Sequence, residues 1–254
     1  MVILKIKKLD LILTRFFRIV ITKILFRVSE HNKGNYNDDS LIICPNHVSN
    51  WDVPIIWALF ASDRPVRLMM MAEFWESFPF LGPILERAGF HPISRRKKNP
   101  QEVENLVTYL NDTKDKLLIL FPEGRHIDPE VAAKLGQAYC KMVKKGAFYI
   151  AAKSGKKVLP VFIEPNQYFR RVRVHYGNPI DPRDLSIYDE NGEVSRKKLG
   201  DFIGEWQKNI SSIYFNLHVL EDRKVREYKI HKVYRESNGY DVSVDPNIAY
   251  RAML

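Results

Sequence analysis

Cysteine is nearly absent from this chain of 254 residues: there are two, Cys44 and Cys140, at a spacing that fits neither a metal nor a redox motif. That argues against a disulfide-stapled secreted domain and leaves both thiols as small apolar groups in a reducing compartment. Also missing is any run of about 20 mainly apolar residues, so no transmembrane helix is expected. The N-terminus lacks the unbroken apolar centre and small-residue cleavage site of a secretory signal. No repeat, low-complexity tract, helix-turn-helix, RRM or zinc-finger pattern is visible, which weighs against a nucleic-acid partner. Acidic residues are the minority, 30 against 40 Lys and Arg, giving a formal net charge of +10. Such an excess favours anionic partners.

What is present begins with that charge. Residues 1–28 carry Lys5, Lys7, Lys8, Arg15, Arg18, Lys23 and Arg27 against a single acid, Asp10. At about 100° per residue, most of these cations share one half of a helix, and the other half is mostly Leu, Ile, Val and Phe. The pattern predicts an amphipathic helix lying in a membrane interface. The alternative is a helix whose apolar face packs on the protein core.

Beyond a polar linker, Ser29 to Asp39, strands and helices alternate. Strands are predicted at 40–44, 66–71, 90–94, 116–121 and 157–164, with Arg171–Tyr176 alternating like an exposed strand. Helices are predicted at 50–61, 82–88, 101–112 and 138–153. An apolar content of 45% supplies a sizeable core. The alternation predicts an α/β domain with a mixed, largely parallel sheet flanked by helices, and ligands gather beyond the carboxyl ends of such strands.

His47 and Asp52 follow the apolar run Leu41-Ile42-Ile43-Cys44 directly. An imidazole can take a proton from an alcohol near neutral pH, and a carboxylate can fix its tautomer and stabilise the imidazolium. Residues five apart on a regular helix point about 140° apart, so the two meet only if His47 lies in the turn before the helix and Asp52 in its first turn. Ser49 can cap that helix, and Ser49-x-x-Asp52 also reads as a capping box. Cys44 has the weaker claim as a nucleophile.

A second segment, Phe121-Pro122-Glu123-Gly124-Arg125, also follows a short apolar run. With Gly89-Phe90-His91-Pro92-Ile93-Ser94-Arg95, Val158-Leu159-Pro160-Val161 and the basic Lys144-Lys145-Gly146-Ala147-Phe148, the order of blocks over roughly residues 38–165 resembles the glycerolipid acyltransferase family. Its best-known members are 1-acylglycerol-3-phosphate acyltransferases. Two departures stand out: Glu123-Gly124 runs into Arg125-His126 where the family usually has Thr-Arg, and the stretch Ile127 to Met142 is long.

The resemblance implies an enzyme that moves a fatty acyl group from an acyl-CoA or acyl carrier protein thioester to the hydroxyl of a lysophospholipid, foremost lysophosphatidic acid. It calls for no cofactor beyond that cosubstrate and for no metal. His47 would be the base and Asp52 its orienting carboxylate. Arg95 would bind phosphate, with Lys144 or Lys145 adding charge, and Glu123, Gly124 and Arg125 would hold the acceptor. His91 reads as structural. Met69 to Met71, Phe74, Trp75, Phe78 and Phe80 read as core, with some of them free to line an acyl groove. The expected division is 1–37, a membrane-associating segment and linker; 38–190, the acyltransferase domain; and 191–254, a basic extension. The expected location is the cytoplasmic face of an anionic membrane. Alternatives are remodelling of another lysophospholipid, or a non-catalytic membrane-binding scaffold of the same fold.

Overall fold

The apolar run Leu41–Pro45 forms strand β2 and is buried at every position, as a strand packed on both faces requires. The computed structural model describes residues 12–34, 40–47, 49–61, 64–72, 80, 82–93, 99–112, 115–124, 143–164 and 171–222, with side chains as far as 213. In it, β2 lies in the middle of a seven-stranded sheet. The other strands are β1 (Arg27–His31), β3 (Val66–Met71), β4 (Phe90–Ile93), β5 (Leu117–Ile119), β6 (Val158–Glu164) and β7 (Arg171–Tyr176). Their spatial order is β1-β7-β6-β2-β5-β3-β4. The strands from β6 across to β4 run parallel, β7 is antiparallel to β6, and β1 is parallel to β7. The sheet is mixed and largely parallel, as expected.

Helix α1 covers residues 12–25 and ends in a π-helical turn, Val20–Leu25. The others are α2 (Asp52–Phe60), α3 (Gly82–Arg87), α4 (Pro100–Asp112), α5 (Gly146–Ser154) and α6 (Leu199–Asp222). On one face of the sheet, Ile55, Ile56 and Leu59 of α2 pack with Ile43, Leu68, Ile119 and Val161. On the other, Leu106, Phe148, Phe202 and Trp206 from α4, α5 and α6 pack with Ile42, Cys44, Leu118 and Phe162. This is a three-layer α/β arrangement.

Local chemistry sets several boundaries. Helix α4 starts at Pro100, and the Asn99 side-chain oxygen accepts the Gln101 N–H at 3.1 Å, a proline-led, capped start. Gly89, between α3 and β4, has φ +90, and a Cβ there would lie 2.2 Å from the Val66 carbonyl oxygen. Only glycine lets that turn pass so close to β3.

The chain leaves β2 through α2 to β3 and β4, returns through α4 to β5 on one side of β2, and then reaches β6 on the other. β2 and its neighbours therefore form a topological switch point, and a crevice opens at their carboxyl ends.

Three sequence expectations need correction. Part of the supposed linker is β1, an edge strand that buries only Val28 and so shows almost no apolar signal. β7 is not an exposed strand: it lies between β1 and β6, with His175 and Tyr176 buried. The helix expected at 138–153 starts at Gly146, because residues 143–145 are not helical, and 138–142 lie outside the described residues.

The N-terminal segment thus contributes a strand to the sheet. The C-terminal segment contributes α6, whose Leu199, Phe202, Trp206 and Ile210 are buried in the common core. The Trp206 indole also donates to the Cys44 carbonyl at 3.0 Å, tying α6 to β2. Trp206→Ala is therefore expected to cost about 3–5 kcal/mol. Urea unfolding should show a lower midpoint at unchanged slope.

Candidate active site

β2 does not simply stop at Pro45. The Asn46 N–H continues the ladder to the Val161 carbonyl at 3.1 Å. Its side-chain amide then donates to the Ile163 carbonyl at 3.1 Å and accepts the Ile163 N–H at 2.6 Å. In a longer parallel ladder those two groups of β6 would be met by the backbone of β2. The fully buried Asn46 carboxamide meets both, so the chain can turn away without orphaning buried backbone groups. That turn delivers His47 to the carboxyl edge.

The next residues place the His47 side chain. Its Nδ1 lies 3.0 Å from Asp52 Oδ2, and Asp52 is only 2% exposed. Helix α2 begins at Asp52 itself, so the histidine is in the preceding turn and the carboxylate in the first helical turn, the geometry the spacing demanded. The same Oδ2 accepts the Ser49 N–H at 2.7 Å. Half of the capping box is thus formed. The Ser49 hydroxyl oxygen accepts the Trp51 N–H at 3.2 Å, while the Asp52 N–H goes to the Ser49 carbonyl. Capping and imidazole orientation share one carboxylate oxygen.

Glu123 reaches the same place from the turn that follows β5. Its Oε1 accepts the His47 backbone N–H at 3.2 Å, and the residue is 2% exposed. Phe121 packs on the imidazole, with ring centroids 4.4 Å apart at 37°. Gly124 has φ +74, and a Cβ there would meet Lys144 Nζ at 3.0 Å, so the turn after β5 needs glycine for both its conformation and its neighbour. The Lys144 N–H donates to the Pro122 carbonyl at 2.8 Å, which fixes the strand-following turn to the start of the basic segment.

The structure therefore brings together His47, Asp52, Glu123, Gly124 and Lys144. Lys145 points elsewhere, its ammonium donating to the Arg196 carbonyl at 3.0 Å. Arg95 and Arg125 lie outside the described residues, as do Cys140, Phe74, Trp75 and Phe78. His91, half-buried on β4, has its pKa held below the ordinary histidine range, chiefly by burial and then by the Arg67 charge, with Glu86 opposing. Met69 is buried and Met71 exposed.

Sequence reasoning missed Asn46, the Ser49 N–H and Phe121. Asn46 was visible beside His47, but its partner is 117 residues away. Among the described residues no group of His, Cys, Asp and Glu is arranged to hold a metal ion.

These features define an α/β domain with a histidine–carboxylate pair where a central parallel strand ends. Residues 27–164, more than half of the chain, match the model of the Acyltransferase family, and the chain belongs to that family. It is 25% identical over 162 residues to the 1-acyl-sn-glycerol-3-phosphate acyltransferase of Streptococcus pneumoniae. That match takes in 61% of this chain and 55% of the relative, so the chain spans about half the length of the curated relative it matches. A crystal structure of a 1-acyl-sn-glycerophosphate (LPA) acyltransferase from Thermotoga maritima aligns with 76% of this chain and 75% of its own, at 21% identity and a TM-score of 0.49.

Cys44 can be set aside as a nucleophile. It is fully buried, and burial pushes its thiol well above the ordinary range, leaving almost no reactive thiolate near neutral pH. Treating the native protein with iodoacetamide at pH 8 should leave the Cys44 peptide unmodified in mass mapping. The same treatment in denaturant should label it.

Proposed function

We propose that the protein transfers a fatty acyl group from a thioester, acyl-CoA or acyl carrier protein, to the free hydroxyl of a lysophospholipid. Lysophosphatidic acid, giving phosphatidic acid, is the acceptor this reading favours. The observation that carries it is the His47–Asp52 contact at the carboxyl edge of the sheet. With Nδ1 held by Asp52, His47 takes the acceptor's hydroxyl proton at Nε2 as the oxygen attacks the thioester carbonyl. A new C–O bond forms and the C–S bond breaks. The imidazolium, stabilised by Asp52, returns the proton to the departing thiolate. No acyl-enzyme is needed, because the acceptor's own oxygen is the nucleophile.

Glu123 acts in this reading through the histidine backbone as well as on the glycerol portion. Gly124 and Arg125 complete the acceptor side. Lys144 adds positive charge at the Glu123–Gly124 turn, and Arg95 supplies the fork that pairs with a phosphate monoester.

The reading places the enzyme on the cytoplasmic face of an anionic membrane. Support for the membrane contact comes from α1, whose Ile12, Leu13, Phe16, Phe17, Ile19, Ile24 and Leu25 are 44–63% exposed rather than packed on the core. Thr22 is its one buried side chain among the described residues. No described helix is long and apolar enough to cross a membrane, which fits a helix lying in the interface.

The test is to incubate purified protein with a panel of lysophospholipids and both donor types, and to identify products by mass spectrometry. His47→Ala should lower turnover by about 10²–10⁴-fold or more while the fold persists by circular dichroism, and Asp52→Asn should lower it strongly. Near-normal turnover of His47→Ala in detergent would reject the mechanism. Arg95→Ala should chiefly raise KM for lysophosphatidate, by the loss of a contact worth about 1.5–3 kcal/mol. An equal effect on an acceptor without a phosphate monoester would remove the phosphate role.

A further inference from the structure

Tryptophan is costly to leave in water, yet Trp51, beside Asp52, is 51% exposed. Helix α2 uses only its backbone there. The Trp51 carbonyl accepts the Ile55 N–H, its N–H goes to Ser49, and its side chain takes no part in capping. The ring meets Phe26 at 5.2 Å between centroids and 59° between planes. Phe26 is the residue through which α1 passes into β1.

Topology explains this meeting. β1 runs opposite to β2, so the end of α1 falls at the edge of the sheet where β2 ends and His47 begins. Exposed Ile24 and Leu25 come immediately before Phe26. Apolar surface therefore runs from α1 through Phe26 to Trp51, and exposed Arg15, Lys23 and Arg27 belong to the same segment.

Resting on the bilayer-docked reading above, we propose that Trp51 is itself a lipid-contacting residue. It seats at the headgroup–acyl boundary of an anionic bilayer, and the tilted contact with Phe26 holds the His47–Asp52 turn at the depth where lysophospholipid hydroxyls lie. Indole suits that boundary because its body is apolar and its N–H polar. The cations of α1 complement anionic headgroups. A protein seated on Trp51 would obstruct the approach to His47, whereas a bilayer delivers the acceptor there.

The experiment uses the full chain with vesicles of phosphatidylglycerol or phosphatidylcholine, each prepared with and without brominated acyl chains. The wild type is compared with Trp51→Phe. Trp57 and Trp206 are buried, and Trp75 is common to both proteins, so the difference spectrum isolates Trp51. On phosphatidylglycerol vesicles that difference emission should shift to the blue. It should be quenched several-fold more by bromines near the headgroup end of the chains than by bromines near the methyl end, and be shielded from acrylamide. Trp51→Ser should melt like the wild type and partition onto the vesicles about five- to tenfold more weakly.

Two results overturn the inference in distinguishable ways. If the protein co-sediments with vesicles while Trp51 stays open to acrylamide and blind to bromine, Trp51 is no anchor and docking through α1 stands. If the protein does not co-sediment with anionic vesicles at all, the bilayer-docked reading falls with it.

Discussion

The carboxamide of Asn46 is the contact on which the arrangement of the site depends. A central parallel strand cannot end without leaving an N–H and a C=O of its neighbour facing a gap, and such groups are costly when buried. Asn46 meets the two groups of Ile163 with one side chain, a donor and an acceptor in the same plane. The backbone is thereby free to leave the sheet one residue later. His47 emerges at the edge with its N–H turned to Glu123 and its ring against Phe121. The position of the imidazole is thus set first by the strand end and only then by Asp52.

Around this point the three layers converge. From one face, α2 supplies Asp52; from the other, α6 fastens the Cys44 carbonyl through Trp206. The turn after β5 contributes Glu123, and the segment before α5 brings Lys144 against Gly124. A single oxygen of Asp52 serves both the turn and the imidazole. Loss of the carboxylate therefore disturbs geometry and charge together, and an amide in its place tests the charge with less disturbance of shape. Proximity of this kind converts separate elements into one site only if each is held rigidly.

α1 stands apart from that economy. Most of its apolar residues face outward, and it touches the body mainly through Ile21, the adjoining Phe26 on the α2 face and the Arg18–Glu30 pair. Glu30 also meets Lys33 and the Tyr176 hydroxyl, so β1 is fastened to β7 by polar contacts as well as by backbone pairing. Among the described residues nothing covers the exposed apolar side chains of this helix, which is held mainly at one end, and an open apolar patch of this kind marks a contact site.

The order of elements was legible in the sequence because the buried strands carry continuous apolar runs. Val66–Met71 and the block 158–164 read as strands for that reason. So was the His47–Asp52 pairing, since a five-residue spacing across a helix start leaves one workable geometry. Weakly patterned elements were not legible. β1 buries one residue of five, and its partner β7 is 144 residues further on, so no local signal distinguishes it from a linker. Asn46, Phe121 and Trp206 gain their parts in the site only from neighbours distant in sequence: Ile163, His47 and Cys44. By itself the sequence determined the class of sheet, the order of blocks and the chemistry of the histidine and carboxylate, because these rest on local period and residue type. Tertiary structure alone decided where β2 ends, which oxygen of Asp52 holds the ring, and that the end of α1 meets Trp51, because each depends on strands brought together by the path of the chain.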